Sequence, residues 1–281
     1  MTLLSEERPS GWPEADARPV GLVGLATTTD NKRIGLLTAG TALVLFFAMG
    51  AMAMVMRGQL AAPAQNLVNS HVYNQLFTVH GSGMIYLVIT PFALAFGVYL
   101  VPLQVGAPDI AAPRVTLLGY WFYAVGALAL LSGFAVGGGA ASDGWFAYTP
   151  LSNSVYSPGH GMDLWILGVF LSGLGMLLMG ATVLWTALRM RAPGMTLLRM
   201  PVFTWSMVVT CLLVIASFPS LLAAMVLLGV GRADPSVVSG NTWTIGYQQL
   251  FWFYGHPVVY VMFFPFVGAV SEVLATFSGR R

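Results

Sequence analysis

The sequence predicts an all-α polytopic membrane protein with six transmembrane helices and both termini in the cytoplasm. Three observations carry that prediction. Hydrophobic residues make up 57% of the 281-residue chain and charged residues only 8%, against about 45–50% and about 25% in soluble globular domains. Six apolar segments reach the ~20 residues that a helix needs to cross a bilayer core of ~30 Å. The basic residues gather on one side of those segments. The same composition excludes other classes. A water-soluble enzyme does not fit it, a net charge of +2 supplies no basic field for nucleic acid, and the single cysteine, Cys211, cannot pair within the chain.

The elements follow in order. Residues 1–30 are polar and proline-rich, with Ser5, Glu6, Glu7, Pro9, Pro13, Glu14, Asp16 and Pro19. They lack the apolar core and small-residue cleavage site of a signal peptide, and they read as a flexible cytoplasmic tail ahead of a membrane domain at 31–281. Spans are expected over 34–56, 76–103, 116–137, 162–188, 202–230 and 247–277. With directions alternating, Arg8, Arg18, Lys32, Arg33, Arg114, Arg189, Arg191, Arg199, Arg280 and Arg281 fall on the side of the termini. Only Arg57 and Arg232 fall opposite, so the termini are placed inside. The third loop, 138–161, is rich in Gly, Ser and aromatics and reads as a structured extracytoplasmic lid. Glycines seven apart (Gly119, Gly126, Gly133; Gly168, Gly175) read as contacts for close helix packing. No internal repeat marks an inverted-repeat transporter.

An ionisable side chain inside a membrane is costly and asks for a partner. His80 lies early in the second span and His256 near the middle of the sixth. An imidazole there can be a hydrogen-bonded core group, a proton relay or a ligand to iron or copper. In the sixth span Trp252, His256 and Tyr260 are four apart and share one helix face. Pro257 removes a backbone donor beside His256. A His and a phenol one turn apart suit a redox centre, and they equally suit a packed aromatic stripe; spacing leaves both readings open.

The stretch 252–260 resembles subunit I of the haem-copper oxidases, the catalytic subunit of cytochrome c and quinol oxidases (A-type family). The resemblance extends along the chain: Thr28 to Gly35 (TTDNKRIG), Tyr73 to Gly81 (YNQLFTVHG), Pro102 to Asp109 (PLQVGAPD), Pro113-Arg114, Arg191 to Met195, Arg199 to Trp205 and Gln249 to Phe253. It implies that His80 is an axial ligand of a low-spin haem iron, and that His256 is one of three imidazoles on copper B. Tyr260 is then the phenol linked to that His in the catalysis of O–O cleavage, and Trp252 lines the copper site. Arg57 matches the arginine that meets the haem formyl, which implies haem A. Trp145 is implied near the haem propionates. The implied partners are oxidase subunits II and III, cytochrome c or quinol as electron donor, and membrane lipid, with no nucleic acid. The implied location is the plasma membrane of a bacterium.

The sequence departs from that family in two respects. Asp109 matches the mouth of the D-type proton path, but the expected asparagines are Val98, Thr116 and Leu117, and the expected glutamate is Val258. The usual His of the first motif is Asn31. In one branch of the family a Tyr-Ser pair precedes the copper His; here it is Tyr254 and Gly255, so Tyr254 is the expected proton-path residue. The second departure is length. The family has about twelve spans, and the second low-spin ligand, the high-spin haem ligand and the copper His pair belong to the half that six spans cannot contain. His71 and His160 are read as interface or solvated groups. The expected function is therefore the N-terminal half of an oxidase subunit I, inactive without a complementing C-terminal half. The alternative is a non-catalytic, oxidase-derived membrane partner or assembly subunit. A transporter or channel is disfavoured, because the carboxylates Asp163 and Glu272 lie only near span ends.

Overall fold

A computed structural model describes residues 21–236 and 241–279; residues 1–20, most of the expected tail, and Arg280 and Arg281 lie outside it. Among the described residues there is no strand, and six helices are long and apolar enough to cross a membrane. They are α2 (Asn31–Gln59), α3 (Ser70–Val105), α4 (Pro113–Ala135), α5 (Gly161–Arg189), α6 (Val202–Ala233) and α7 (Asn241–Phe277). A short helix, α1 (Gly21–Ala26), precedes them where the sequence suggests only tail.

Local chemistry explains the boundaries. The Asp30 carboxylate accepts from the backbone N–H groups of Lys32 and Arg33, which opens α2. The Asn69 side chain accepts from Val72 N and starts α3 at Ser70, six residues before the apolar run at 76. His80 therefore sits about three turns into its helix. Gly106 ends α3 in the left-handed conformation, φ +71°.

Between Gly83 and Ile89 the second span widens into a π-helix. Such a segment leaves carbonyls poorly served by the helix itself. Side chains serve them here: the Tyr123 hydroxyl donates to Leu87 O at 2.7 Å and the Thr90 hydroxyl to Ile85 O at 2.9 Å.

Spans adjacent in sequence pack against each other, most extensively α4 with α5 and α6 with α7. The glycines at seven-residue spacing let α4 and α5 touch backbone to backbone. A Cβ on Gly175 would lie 2.4 Å from Gly119 O, and one on Gly126 2.7 Å from Gly168 O. The core is lined by Tyr86, Tyr123, Trp165, Phe218, Phe251 and Tyr254, all buried.

Arg232 corrects the sequence reading. It lies in the last turn of α6, not in a solvated loop, and its guanidinium is buried. Nε meets Asp163 Oδ1 at 2.6 Å, and the terminal nitrogens donate to the carbonyls of Ser152, Ser157 and Gly159. Each nitrogen of a cation taken from water thus has a partner. It ties α5, α6 and the 138–160 loop into one unit.

Both carboxylate oxygens of Asp143, in that loop, lie 2.9 Å from the Ser157 hydroxyl, which shares its one proton between them. Burial raises its carboxyl above the ordinary aspartate value, against the lowering effects of Ser157 and Arg232. A raised carboxyl leaves stability intact below the unfolded value near 3.9 and subtracts from it as pH rises through the folded value. Asp143→Asn is therefore expected to gain more in thermal midpoint over the wild type at pH 7 than at pH 4. Equal gains at both pH values would contradict this.

Candidate functional site

The residues singled out by the sequence fall into a cluster around Trp145, a stripe on α7 that shares Trp252 with it, and two outliers. His80 is half-buried on α3. Its Nδ1 lies 2.9 Å from the carbonyl of Met49 on α2. A carbonyl can only accept, so this contact places the ring proton on Nδ1 and leaves the Nε2 lone pair available to a metal. The approach is close because Gly83 has no side chain: a Cβ there would overlap Met49, 2.1 Å from Sδ. Pairing the first two spans at this level and setting the imidazole tautomer are thus one event.

Trp145 stands beside the next residue, since a Cβ on Gly81 would lie 3.6 Å from it. Its ring meets Phe251 at 5.4 Å, Trp252 at 5.8 Å and Tyr86 at 6.5 Å between centroids. The loop that carries it is bonded to two spans. Gly144 N donates to the Thr78 hydroxyl, the Tyr86 hydroxyl to Trp145 O, and the Tyr247 hydroxyl to Phe146 O. Trp252 Nε1 donates to the Tyr148 hydroxyl. The lid expected from composition is thus an ordered layer between α3 and α7. Tyr148 escapes sequence reasoning, because nothing periodic in a loop announces its contact with a residue 104 positions away.

On α7 the stripe of Trp252, His256 and Tyr260 forms as the four-residue spacing predicts, with His256 Nε2 3.2 Å from the Tyr260 hydroxyl. The helix continues through Pro257 and Pro265. The stripe faces outward: Trp252 and Tyr260 are 42% and 41% exposed, and His256 is exposed as well. Tyr254 and Val258 take the opposite face and are buried. Tyr254 stacks on Tyr86 at 6.0 Å, and its hydroxyl has no partner among the described residues. Gly255, where the Tyr-Ser branch has serine, has a physical reason: a Cβ there would lie 2.6 Å from the Trp252 ring.

Arg57 and Asp109 stand apart from this cluster. Arg57 is exposed in the last turn of α2. Asp109 lies by the first turn of the same helix, where Oδ1 accepts from Asn31 N at 3.3 Å and Ile110 N at 2.7 Å. Asn31 turns its amide onto Val98 O at 3.0 Å. Val98 and the side chain of Thr116 are buried, with Thr116 bonded to Thr182 at 3.0 Å. The carboxylate thus accepts from two backbone N–H groups, while Val98 and Thr116, where the resemblance expects asparagines, are buried. His71 bonds Gln75 and Gly138 O, and His160 pairs with Asp163. Among the described residues no three His, Cys, Asp or Glu side chains gather closely enough to hold a metal ion.

The family described as cytochrome c and quinol oxidase polypeptide I matches residues 33–281. Cytochrome c oxidase subunit 1 of Corynebacterium efficiens is 45% identical over 262 residues, 91% of this chain and 44% of the relative. The corresponding protein of Corynebacterium glutamicum is 44% identical, with the same coverage of both chains. A protein provisionally named cytochrome c oxidase subunit 1-beta in Streptomyces coelicolor is 46% identical over 92% of this chain and 46% of its own length. The chain thus spans a little under half the length of these relatives.

Proposed function

Because this chain belongs to the cytochrome c and quinol oxidase polypeptide I family, we propose that it supplies the N-terminal half of the catalytic subunit of a haem-copper terminal oxidase, with both termini in the cytoplasm. A complementing C-terminal half provides the remaining ligands for dioxygen reduction. One observation carries the reading: a His–Tyr pair and a Trp lie on the outward face of a membrane helix, where polar groups are costly without a partner surface.

The residues fit the groups that the family implies. His80, its tautomer set by Met49 O, would hold the low-spin haem iron through Nε2. Arg57 would meet a formyl substituent, which favours haem A, and Trp145 would stand by the propionates. His256 would give one ligand to copper B, with Tyr260 as the phenol that yields a proton and an electron, and Trp252 as the wall. When bound, a bis-imidazole iron carries electrons and an iron–copper pair with open positions takes dioxygen. Within this chain the six spans orient the two imidazoles, and the loop at 138–160 keeps water from the Trp145 side. Subunits II and III complete the assembly, and subunit II determines whether cytochrome c or quinol delivers electrons.

The test is complementation. The purified chain by itself is expected to bind no copper and only weak haem. Co-expressed with a six-span partner bearing a His-His pair, it should yield both metals, and His256→Ala should remove the copper selectively. A stable bis-histidine low-spin spectrum from the isolated chain would refute the proposal.

Proton uptake follows a different route from the D-type path. With Asp109 bonded to the backbone of Asn31 and Ile110, and apolar Val98 buried where the path needs an asparagine, protons pass by Tyr254 or a second path. Asp109→Asn is expected to leave proton pumping by the assembled oxidase unchanged; loss of pumping would sink the idea. The loss of polar groups at Val98 and Val258 favours the alternative reading, a non-catalytic assembly partner. That reading predicts no metal in any co-expressed complex.

A further inference from the structure

A groove of about 790 Å³ runs between α2 and α4, on helix faces that carry none of the residues assigned above. Along α2 it extends from Arg33 to Ala48, about 22 Å at the helical rise. That exceeds the ~15 Å of hydrocarbon in one leaflet, so the groove is long enough for a whole acyl chain. Its walls are apolar, with Leu36, Val44 and Leu128 among them, and Arg33 is its one charged residue. Gly40 leaves it hollow, since a Cβ built there meets nothing within 4 Å. Thr41 also lines it, but its hydroxyl pairs with that of Tyr120 at 3.2 Å and so asks nothing of an occupant.

The Arg33 end carries independent marks of the membrane–water boundary. The six-residue α1 places Leu25 at the mouth of the groove, and Trp121 Nε1 donates to Ala26 O at 3.0 Å. Tryptophan and basic residues gather at headgroup level. A cation at that level, heading a dry channel of acyl-chain length, complements a molecule with an anionic head and an apolar tail. A guanidinium suits phosphate in particular, because its donors match two oxygens at once. We propose that this groove is a binding site for one anionic phospholipid, with its phosphate at Arg33 and one acyl chain along Gly40 and Val44.

The test uses the full-length chain reconstituted in bilayers of equal parts phosphatidylglycerol and phosphatidylcholine, extracted gently, and weighed with its retained lipid by native mass spectrometry. One phosphatidylglycerol per chain is expected to remain. Gly40→Phe, which fills open space, should cut that retention by about tenfold, and Arg33→Gln should lose the preference for phosphatidylglycerol by a similar factor while still retaining a lipid. Leu212→Phe, on an exposed part of α6, is the control and should change nothing. The proposal is overturned if Gly40→Phe retains lipid like the wild type, or if the wild type shows no preference between the two lipids. It also fails if Gly40→Cys, in a chain whose own Cys211 is buried, crosslinks to a polypeptide segment along the groove.

Discussion

Replacing His80 with alanine is expected to abolish the low-spin haem spectrum of the complemented oxidase while leaving its copper in place. The imidazole sits between two spans, its Nδ1 fixed by Met49 O, so Nε2 is the only ring nitrogen left to offer. No other His lies on that part of α2 or α3 to replace it; His71 is nine residues away and already bonded to Gln75 and Gly138. Difference spectra and pyridine haemochrome assays read the loss, and circular dichroism checks that the helices persist. An intact low-spin band in His80→Ala would remove the assignment. Gly83→Ala offers a graded companion. It forces Met49 to shift and should move the low-spin band without eliminating it.

A large effect on stability is expected from Gly175→Val. A Cβ at this position would lie 2.4 Å from Gly119 O and 2.9 Å from Tyr123 N, and neither backbone atom can swing aside as a flexible side chain can. Overpacking of this kind costs about 1–3 kcal/mol, and more where backbones must separate. The damage should also spread, because Tyr123 donates to Leu87 O inside the π-helix that follows His80. The midpoint of denaturant-induced unfolding should fall, with haem retention in the complemented oxidase falling in parallel. Gly50→Val, where a Cβ meets nothing within 4 Å, should leave both unchanged.

Much of the fold is legible in the sequence because a span of bare hydrocarbon length leaves an unmistakable apolar run. The first helix is off by a few residues at each end. The second and sixth begin six residues earlier than their apolar runs, since polar residues such as His71, Asn74 and Gln75 continue the helix beyond the hydrocarbon. The stripe of Trp252, His256 and Tyr260 is legible from spacing alone, because helical periodicity fixes which side chains share a face. Which way that face looks is a property of the bundle, and no local pattern reports it. Distant contacts are hidden for the same reason. Arg232 reads as a loop residue until Asp163, 69 positions away, and three loop carbonyls are seen around it. The π-helix at Gly83–Ile89 has no sequence mark at all, and Gly255 reads as an unexplained loss of serine until the Trp252 ring is placed against it.

The two faces of α7 also divide the genetics of this protein. Tyr254, Val258 and Val261 lie within the six-helix unit, so a lesion in any of them damages the folding of this chain, and compensating changes belong within the same six spans. His256 and Tyr260 lie on the outside, whereas Trp252, on the same stripe, also bonds Tyr148 and packs on Trp145 within the unit. Under the proposed function a lesion in His256 or Tyr260 leaves the six helices folded, and its suppressors belong among the residues that cover that face. The two faces of one helix thus answer to different sets of neighbours, and a suppressor screen can tell those sets apart.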